Sequence, residues 1–132
     1  MNYLVDTHIL LWSFFEPQRL SETIRKILTD TSNEVYYSPV SLWEISIKYG
    51  LGKLKLNELT PEEFYHELNG SFYRCKKVNS LTTITNYKLP VLHKDPFDRF
   101  LIWEAIQSDF ILLSVDESMD QYRNEGLKVV TG

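Results

Sequence analysis

The stretch Tyr3-Leu4-Val5-Asp6-Thr7-His8-Ile9-Leu10-Leu11-Trp12 passes from an unbroken apolar run, through one acid, into apolar residues at helical spacing. Residues 3–5 show no polar alternation, which predicts a short strand covered on both faces. Over 7–15, Ile9, Leu10, Trp12 and Phe14 recur as they would along one helix. The same order returns downstream. Residues 34–37 are β-rich; Ser38 then caps a helix with Pro39 in its first turn, ending near Gly50 and Gly52. Residues 111–115 form another apolar strand, followed by a short helix over 117–124 and a last strand over 127–130 after Gly126.

Between these units, Ser21 is expected to cap a helix with Ile24, Ile27 and Leu28 inward. Thr60-Pro61-Glu62-Glu63 has the spacing of a capping box. Residues 72–78 read as extended, Ser80 as the cap of a short helix ending before Pro90, and 98–107 as a helix. The alternation predicts an α/β fold with a central, mostly parallel β-sheet flanked by α-helices. Ligands in such sheets gather beyond the carboxyl ends of the strands.

At 132 residues the chain is expected to form one domain, 1–132, burying roughly two-thirds of its unfolded surface without cross-links. Cys75 is the only cysteine, which excludes an internal disulfide and a thiolate metal cluster; it reads as a small, semi-buried apolar residue. The start has no basic segment before Asp6, unlike a secretory signal, and no apolar run approaches the roughly 20 residues of a membrane span. The expectation is a soluble, cytoplasmic protein without a membrane partner. A net charge of −4 excludes a uniformly basic nucleic-acid coat. Lys48, Lys53 and Lys55 nevertheless form one basic stretch, and Arg74, Lys76 and Lys77 another. Each alone reads as a solvated face; around an acidic centre they would also suit a metal-dependent nuclease.

That centre is suggested by His93-Lys94-Asp95-Pro96-Phe97-Asp98-Arg99, which sets two carboxylates three residues apart at a helix entrance. Asp6 and Asp116 follow strands, and Glu44 lies about two turns into the helix after the second strand. Asp6, Glu44, Asp98 and Asp116 are thus expected on one rim of the sheet. Each has an ordinary reading alone. Asp6 and Asp98 suit helix caps, Asp98 can also pair with Arg99, and Asp116 suits a turn. Glu44 is either solvated or, among Leu42, Trp43, Ile45 and Ile47, in need of a partner.

Two carboxylates about 5 Å apart at an effective dielectric of about 20 repel by roughly 3 kcal/mol. That is about two pKa units for each pair, so four need protons or a divalent cation. Oxygen ligands, with no thiolate and no spaced His pair, favour Mg²⁺ or Mn²⁺ over zinc. Such an ion also takes phosphate oxygens and suits phosphodiester hydrolysis. Thr7, Ser41 and Ser114 stand beside these acids, either as local caps or as groups that orient the carboxylates.

Four segments resemble the motifs of PIN-domain nucleases, and among them the VapC-type toxins of prokaryotic toxin–antitoxin pairs. They are Val5-Asp6-Thr7-His8-Ile9-Leu10-Leu11-Trp12, Ser41-Leu42-Trp43-Glu44-Ile45-Ser46-Ile47-Lys48 with Gly52-Lys53-Leu54, His93-x-Asp95-Pro96-Phe97-Asp98-Arg99, and Leu113-Ser114-Val115-Asp116. The fourth departs from the family's pattern, with Ser114 where threonine is usual and Val115 where a basic residue often stands. The resemblance implies a PIN-like fold and a Mg²⁺- or Mn²⁺-dependent endoribonuclease with an RNA substrate. It also implies a homodimer and a cognate antitoxin protein. Carried over by position, Asp6, Glu44, Asp98 and Asp116 are the acidic site, with Asp95 in reserve.

His8 and His93 lie near the acids and read as hydrogen-bonding support, His66 as a surface residue, and Arg99 as the partner of an acid or a phosphate. Trp12, Trp43 and Trp103 read as core or interface aromatics. Phe14, Phe15 and Tyr73 would serve either a partner surface or the core. Two other readings compete. One is a non-catalytic module that keeps the fold for protein or RNA contacts. The other is a phosphotransferase-like domain with Asp6 as nucleophile, for which His8 stands where a second acid is expected.

Overall fold

The computed structural model describes residues 1–132. Strand β1 (Asn2–Val5) is followed by α1 (Thr7–Phe15), α2 (Glu22–Thr29), β2 (Glu34–Tyr37), α3 (Pro39–Gly50) and α4 (Pro61–Asn69). Then come β3 (Arg74–Cys75), α5 (Ser80–Ile84), α6 (Pro96–Ser108), β4 (Ile111–Ser114) and β5 (Lys128–Thr131), with 3₁₀ turns at Pro17–Arg19, Asn86–Lys88 and Glu117–Glu125. The strands order as β3-β2-β1-β4-β5, and every pairing is parallel. No helix is long and apolar enough to cross a membrane.

β1 is central, and its alternate residues enter two cores. Tyr3 and Val5 face a cluster with Ile9, Leu10, Ile24, Ile45, Phe64 and Leu68, whereas Leu4 faces one with Leu101, Ile102, Ala105, Leu112 and Tyr122. This explains the absence of polar alternation in 3–5. The pairing sets Leu4 beside Leu112 and Val5 beside Leu113, and the Asp6 amide continues the ladder to the Leu113 carbonyl at 2.9 Å. The ends of β1 and β4 therefore finish side by side.

The predicted caps at Ser21, Ser38 and Thr60 are present, and the Thr60–Glu63 capping box is reciprocal. Several expectations need correction. The residue capping α5 is Asn79, whose side chain accepts from the amides of Leu81 and Thr82, so Ser80 is the first helical residue. α6 starts at Pro96, because Asp95 caps it through the amides of Phe97 (2.8 Å) and Asp98 (3.2 Å). Asp98 is therefore inside the first turn and is not the cap. Of the extended 72–78 stretch, Arg74 and Cys75 pair with β2 at the sheet edge and the Lys76 amide donates to the Tyr37 carbonyl at 2.8 Å, while Cys75 is exposed there. The 117–124 helix is 3₁₀: buried Met119 and Tyr122, three apart, share one side of a three-residue turn. Tyr73 is buried, and Phe14 packs on the core.

The inner face of α6 also carries Glu104, 1% exposed, with the Lys76 ammonium 3.6 Å away. Burial raises the Glu104 carboxyl above its ordinary range, with Lys76 and the Ser38 hydroxyl offsetting part of the rise. Lys76 thus belongs to an internal ion pair and not to a solvated basic face. Removing one partner of such a pair costs more than replacing both. Lys76→Met is expected to destabilise the protein by about 3 kcal/mol in urea unfolding. The double variant Lys76→Met/Glu104→Leu should recover most of that loss.

Candidate metal centre

Asp6 sits at the turn from β1 into α1 and serves both neighbours. Its Oδ1 accepts from the Ile9 amide at 2.7 Å, which caps α1. Its Oδ2 accepts from the Ser114 hydroxyl at 2.6 Å, joining the ends of β1 and β4. The cap reading and the site reading of Asp6 are therefore compatible. Burial raises the Asp6 carboxyl, against the lowering effect of Ser114 and of the Ile9 amide.

Glu44 is buried on α3, and Thr7 at the start of α1 donates its hydroxyl to Glu44 Oε1 at 2.7 Å. The Ser41 hydroxyl lies 2.9 Å from Thr7 Oγ1. Lys48, one turn after Glu44, bonds Oε2 at 2.5 Å. Glu44 thus has the partner its apolar surroundings demand, and the i, i+4 spacing to Lys48 was the sequence signal for it. The bond to Glu44 raises the Lys48 ammonium, and the carboxylates of Asp95 and Asp98 add to the effect.

Asp98 projects from the first turn of α6, and its carboxyl is pushed up to about 7. Burial is the main cause; the charges of Asp95, Asp6 and Glu44 add to it, while His93 opposes. Asp6 and Glu44 are near enough for their charges to act on Asp98, and Asp98 and Asp116 both approach the His93 ring. Asp116 ends the loop after β4, and its Oδ1 accepts from the Ser118 amide at 2.9 Å. Its partial desolvation is outweighed by bonds from Ser118 and His93, so it lies below the ordinary carboxylate range. The Ser114 hydroxyl that donates to Asp6 also accepts from the Asp116 amide at 3.0 Å.

His93 stands closer to the centre than its supporting role implied. Its Nε2 lies 3.0 Å from Asp116 Oδ2 and 3.4 Å from Asp98 Oδ2. One ligand atom each from His93, Asp98 and Asp116 falls within a 4.8 Å cluster. Arg99 departs from the expectation of an acid or phosphate partner. Its guanidinium donates to the carbonyls of Leu89 and Pro90, each at 3.0 Å, and closes the loop before α6. Asp95 caps α6 through Oδ1. A cavity of about 250 Å³ is lined by Glu44 together with Thr7, His8, Trp12, Lys48, Lys53 and Lys55, so the first basic stretch borders Glu44.

A parallel α/β sheet with acids gathered beyond the ends of its central strands defines the class. The chain belongs to the PIN domain family, whose model matches residues 3–125. Its fold is shared with a chain of VapBC2 from Rickettsia felis bound to a promoter DNA fragment, at TM-score 0.70 and 17% identity over 99% of this chain and 98% of that one. A chain of DNA-bound VapBC from Salmonella typhimurium matches at TM-score 0.68 and 16% identity, and one of VapBC-1 from nontypeable Haemophilus influenzae at 0.64 and 17%; each alignment covers 99% of this chain and 98% of the other. No curated protein sequence matches the chain significantly.

Folding raises the Asp98 carboxyl from 3.8 to about 7, so between these pH values the folded chain holds a proton that the unfolded chain has released. The contribution of this group to stability is complete below about pH 4 and is lost as pH rises through 7. The metal-free protein is therefore expected to melt lower at pH 8 than at pH 5. Asp98→Asn should raise the pH 8 melting temperature by roughly 5 °C, the shift that on the order of 1 kcal/mol gives a domain of this size. The gain should shrink at pH 5, as differential scanning fluorimetry of the metal-free proteins would show.

Proposed function

We propose that this PIN domain is a Mg²⁺- or Mn²⁺-dependent endoribonuclease and the toxin of a toxin–antitoxin pair. The observation that carries the reading is geometric: carboxylate oxygens of Asp98 and Asp116 lie within 4.8 Å of one another around His93. Burial, with the charges of Asp95, Asp6 and Glu44, raises the Asp98 carboxyl, an environment that favours a hard divalent cation. The residues fit such an ion. The acids supply only oxygen donors, and the Asp98 carboxylate has its nearest polar partner in His93 Nε2 at 3.4 Å. Asp6, Asp98 and Asp116 hold the cation, and Glu44 completes the acidic site from the Lys48 side, directly or through water. When bound, Mg²⁺ or Mn²⁺ lowers the pKa of a water and neutralises charge developing on the phosphoryl group.

The chain's own residues supply the remainder. Ser114 orients Asp6, and Thr7 with Ser41 orients Glu44. Lys53 and Lys55, on the cavity beside Glu44, hold the RNA backbone by charge. The antitoxin reading draws on the fold shared with chains of VapBC structures. The homodimer reading draws on exposed apolar side chains: Trp43, Leu81, Ile84 and Tyr87 are each more than 60% exposed.

The purified protein, free of antitoxin, is expected to cleave RNA with Mg²⁺ or Mn²⁺ and to stop in EDTA. Asp6→Asn and Asp98→Asn should each lose activity by more than the roughly 10–100-fold typical of removing an outer partner of a metal ligand. Cleavage that persists in EDTA or in both variants would overturn the reading. Leu81→Lys/Ile84→Lys is expected to convert a dimer to a monomer in sedimentation velocity without loss of folding; an unchanged sedimentation coefficient would place any dimer contact elsewhere.

A further inference from the structure

The central imidazole invites assignment as a third ligand, since His93 Nε2 faces both Asp98 and Asp116. Its other nitrogen argues against this. The Asp95 amide donates to His93 Nδ1 at 3.2 Å, so Nδ1 contributes its lone pair to that bond. In the neutral ring the proton then resides on Nε2, and a nitrogen that carries a hydrogen has no lone pair for a cation. Instead it has a hydrogen to donate, and the 3.0 Å approach of Asp116 Oδ2 is where that hydrogen goes.

The backbone around His93 is fixed from two sides. The hydroxyl of fully buried Tyr122 accepts from the amides of Leu92 (3.0 Å) and His93 (2.8 Å) and donates to the Pro90 carbonyl (2.9 Å). Arg99 takes the Leu89 and Pro90 carbonyls from the α6 side. Residues 89–93 have little regular structure, yet side chains from two distant elements satisfy their polar groups. Asp95, which fixes the ring through its amide, fixes α6 through its carboxylate. One residue therefore sets both the tautomer of His93 and the first turn that carries Asp98.

We propose that His93 is a positioning residue: a tautomer-locked hydrogen-bond donor that holds the Asp116 carboxylate toward Asp98, leaving the cation an all-oxygen donor set. With the Ser118 amide on Oδ1 and His93 on Oδ2, Asp116 cannot rotate without breaking a bond at each oxygen. The donor also bridges Asp116 and Asp98 when no cation is bound and screens their repulsion. The inference rests on the metal reading above and adds to it how the site is oriented and which donors reach the ion.

Ring-nitrogen NMR of the metal-free protein tests the tautomer without any metal, and is expected to show His93 Nδ1 unprotonated and Nε2 protonated. On the Mn²⁺-loaded protein, electron spin-echo modulation should show no nitrogen bound to the ion. In calorimetry His93→Ala should weaken Mn²⁺ binding roughly 10–100-fold. His93→Gln, whose amide places a donor near the Nε2 position, should recover most of that affinity, whereas His93→Asn, with its donor nearer Nδ1, should not. Nitrogen on the ion, an Nδ1-protonated ring, or unchanged binding by His93→Ala would each overturn the role given to His93. If the wild-type protein takes up no Mn²⁺, the metal reading itself fails, whatever the tautomer.

Discussion

The hydrogen bond from Ser114 to Asp6 spans 108 positions of sequence and closes the ends of β1 and β4 against each other. It exists because β1 and β4 are parallel neighbours in register, Val5 beside Leu113. Parallel strands deliver their carboxyl ends to one edge, so acids placed after each strand are forced together. α1 begins on Asp6 and presents Thr7 to Glu44, and the Ser114 hydroxyl fixes the turn that holds Asp116. Disrupting this junction would loosen three of the four acids at once.

The cost of the arrangement is electrostatic. Asp98 is raised to about 7 because burial, and then the neighbouring carboxylates, oppose its ionisation. Two buried acids are met by lysines: Lys48 bonds Glu44, and Lys76 approaches Glu104. Asp6 has only hydrogen bonds from Ile9, Ser114 and Val115, and Asp98 only the His93 ring. A carboxyl poised this way costs stability at neutral pH, and on the proposed reading a divalent ion would offset that cost. That is the trade expected where function and stability compete.

Much of this was legible in the sequence because it rests on local rules. The unbroken apolar runs at 3–5 and 111–115 specify strands buried on both faces. Ser21, Ser38 and the Thr60–Glu63 box mark helix starts, and acids after strands mark the rim. The features that were not legible depend on contacts between distant segments. Nothing near Arg99 says that its guanidinium will take the carbonyls of Leu89 and Pro90, because an acid stood next to it in sequence and the loop geometry did not. The centrality of His93 depends on the Tyr122 hydroxyl, 29 positions away. Glu104 could have been noticed: it lies three after Leu101 and next to Ala105 on an inward face, where an acid needs an explanation. The start of α6 was misplaced because Asp95 and Asp98 are both good caps, and Pro96 at the first helical position decides for Asp95.

The central claim is that these carboxylates share a divalent cation, and anomalous diffraction from crystals soaked in Mn²⁺ tests it most directly. A peak between Asp98 and Asp116, within coordination distance of their oxygens and adjoining Asp6, is the expected result. An absent peak, or one bound only at surface acids such as Asp109 or Glu125, would contradict the account.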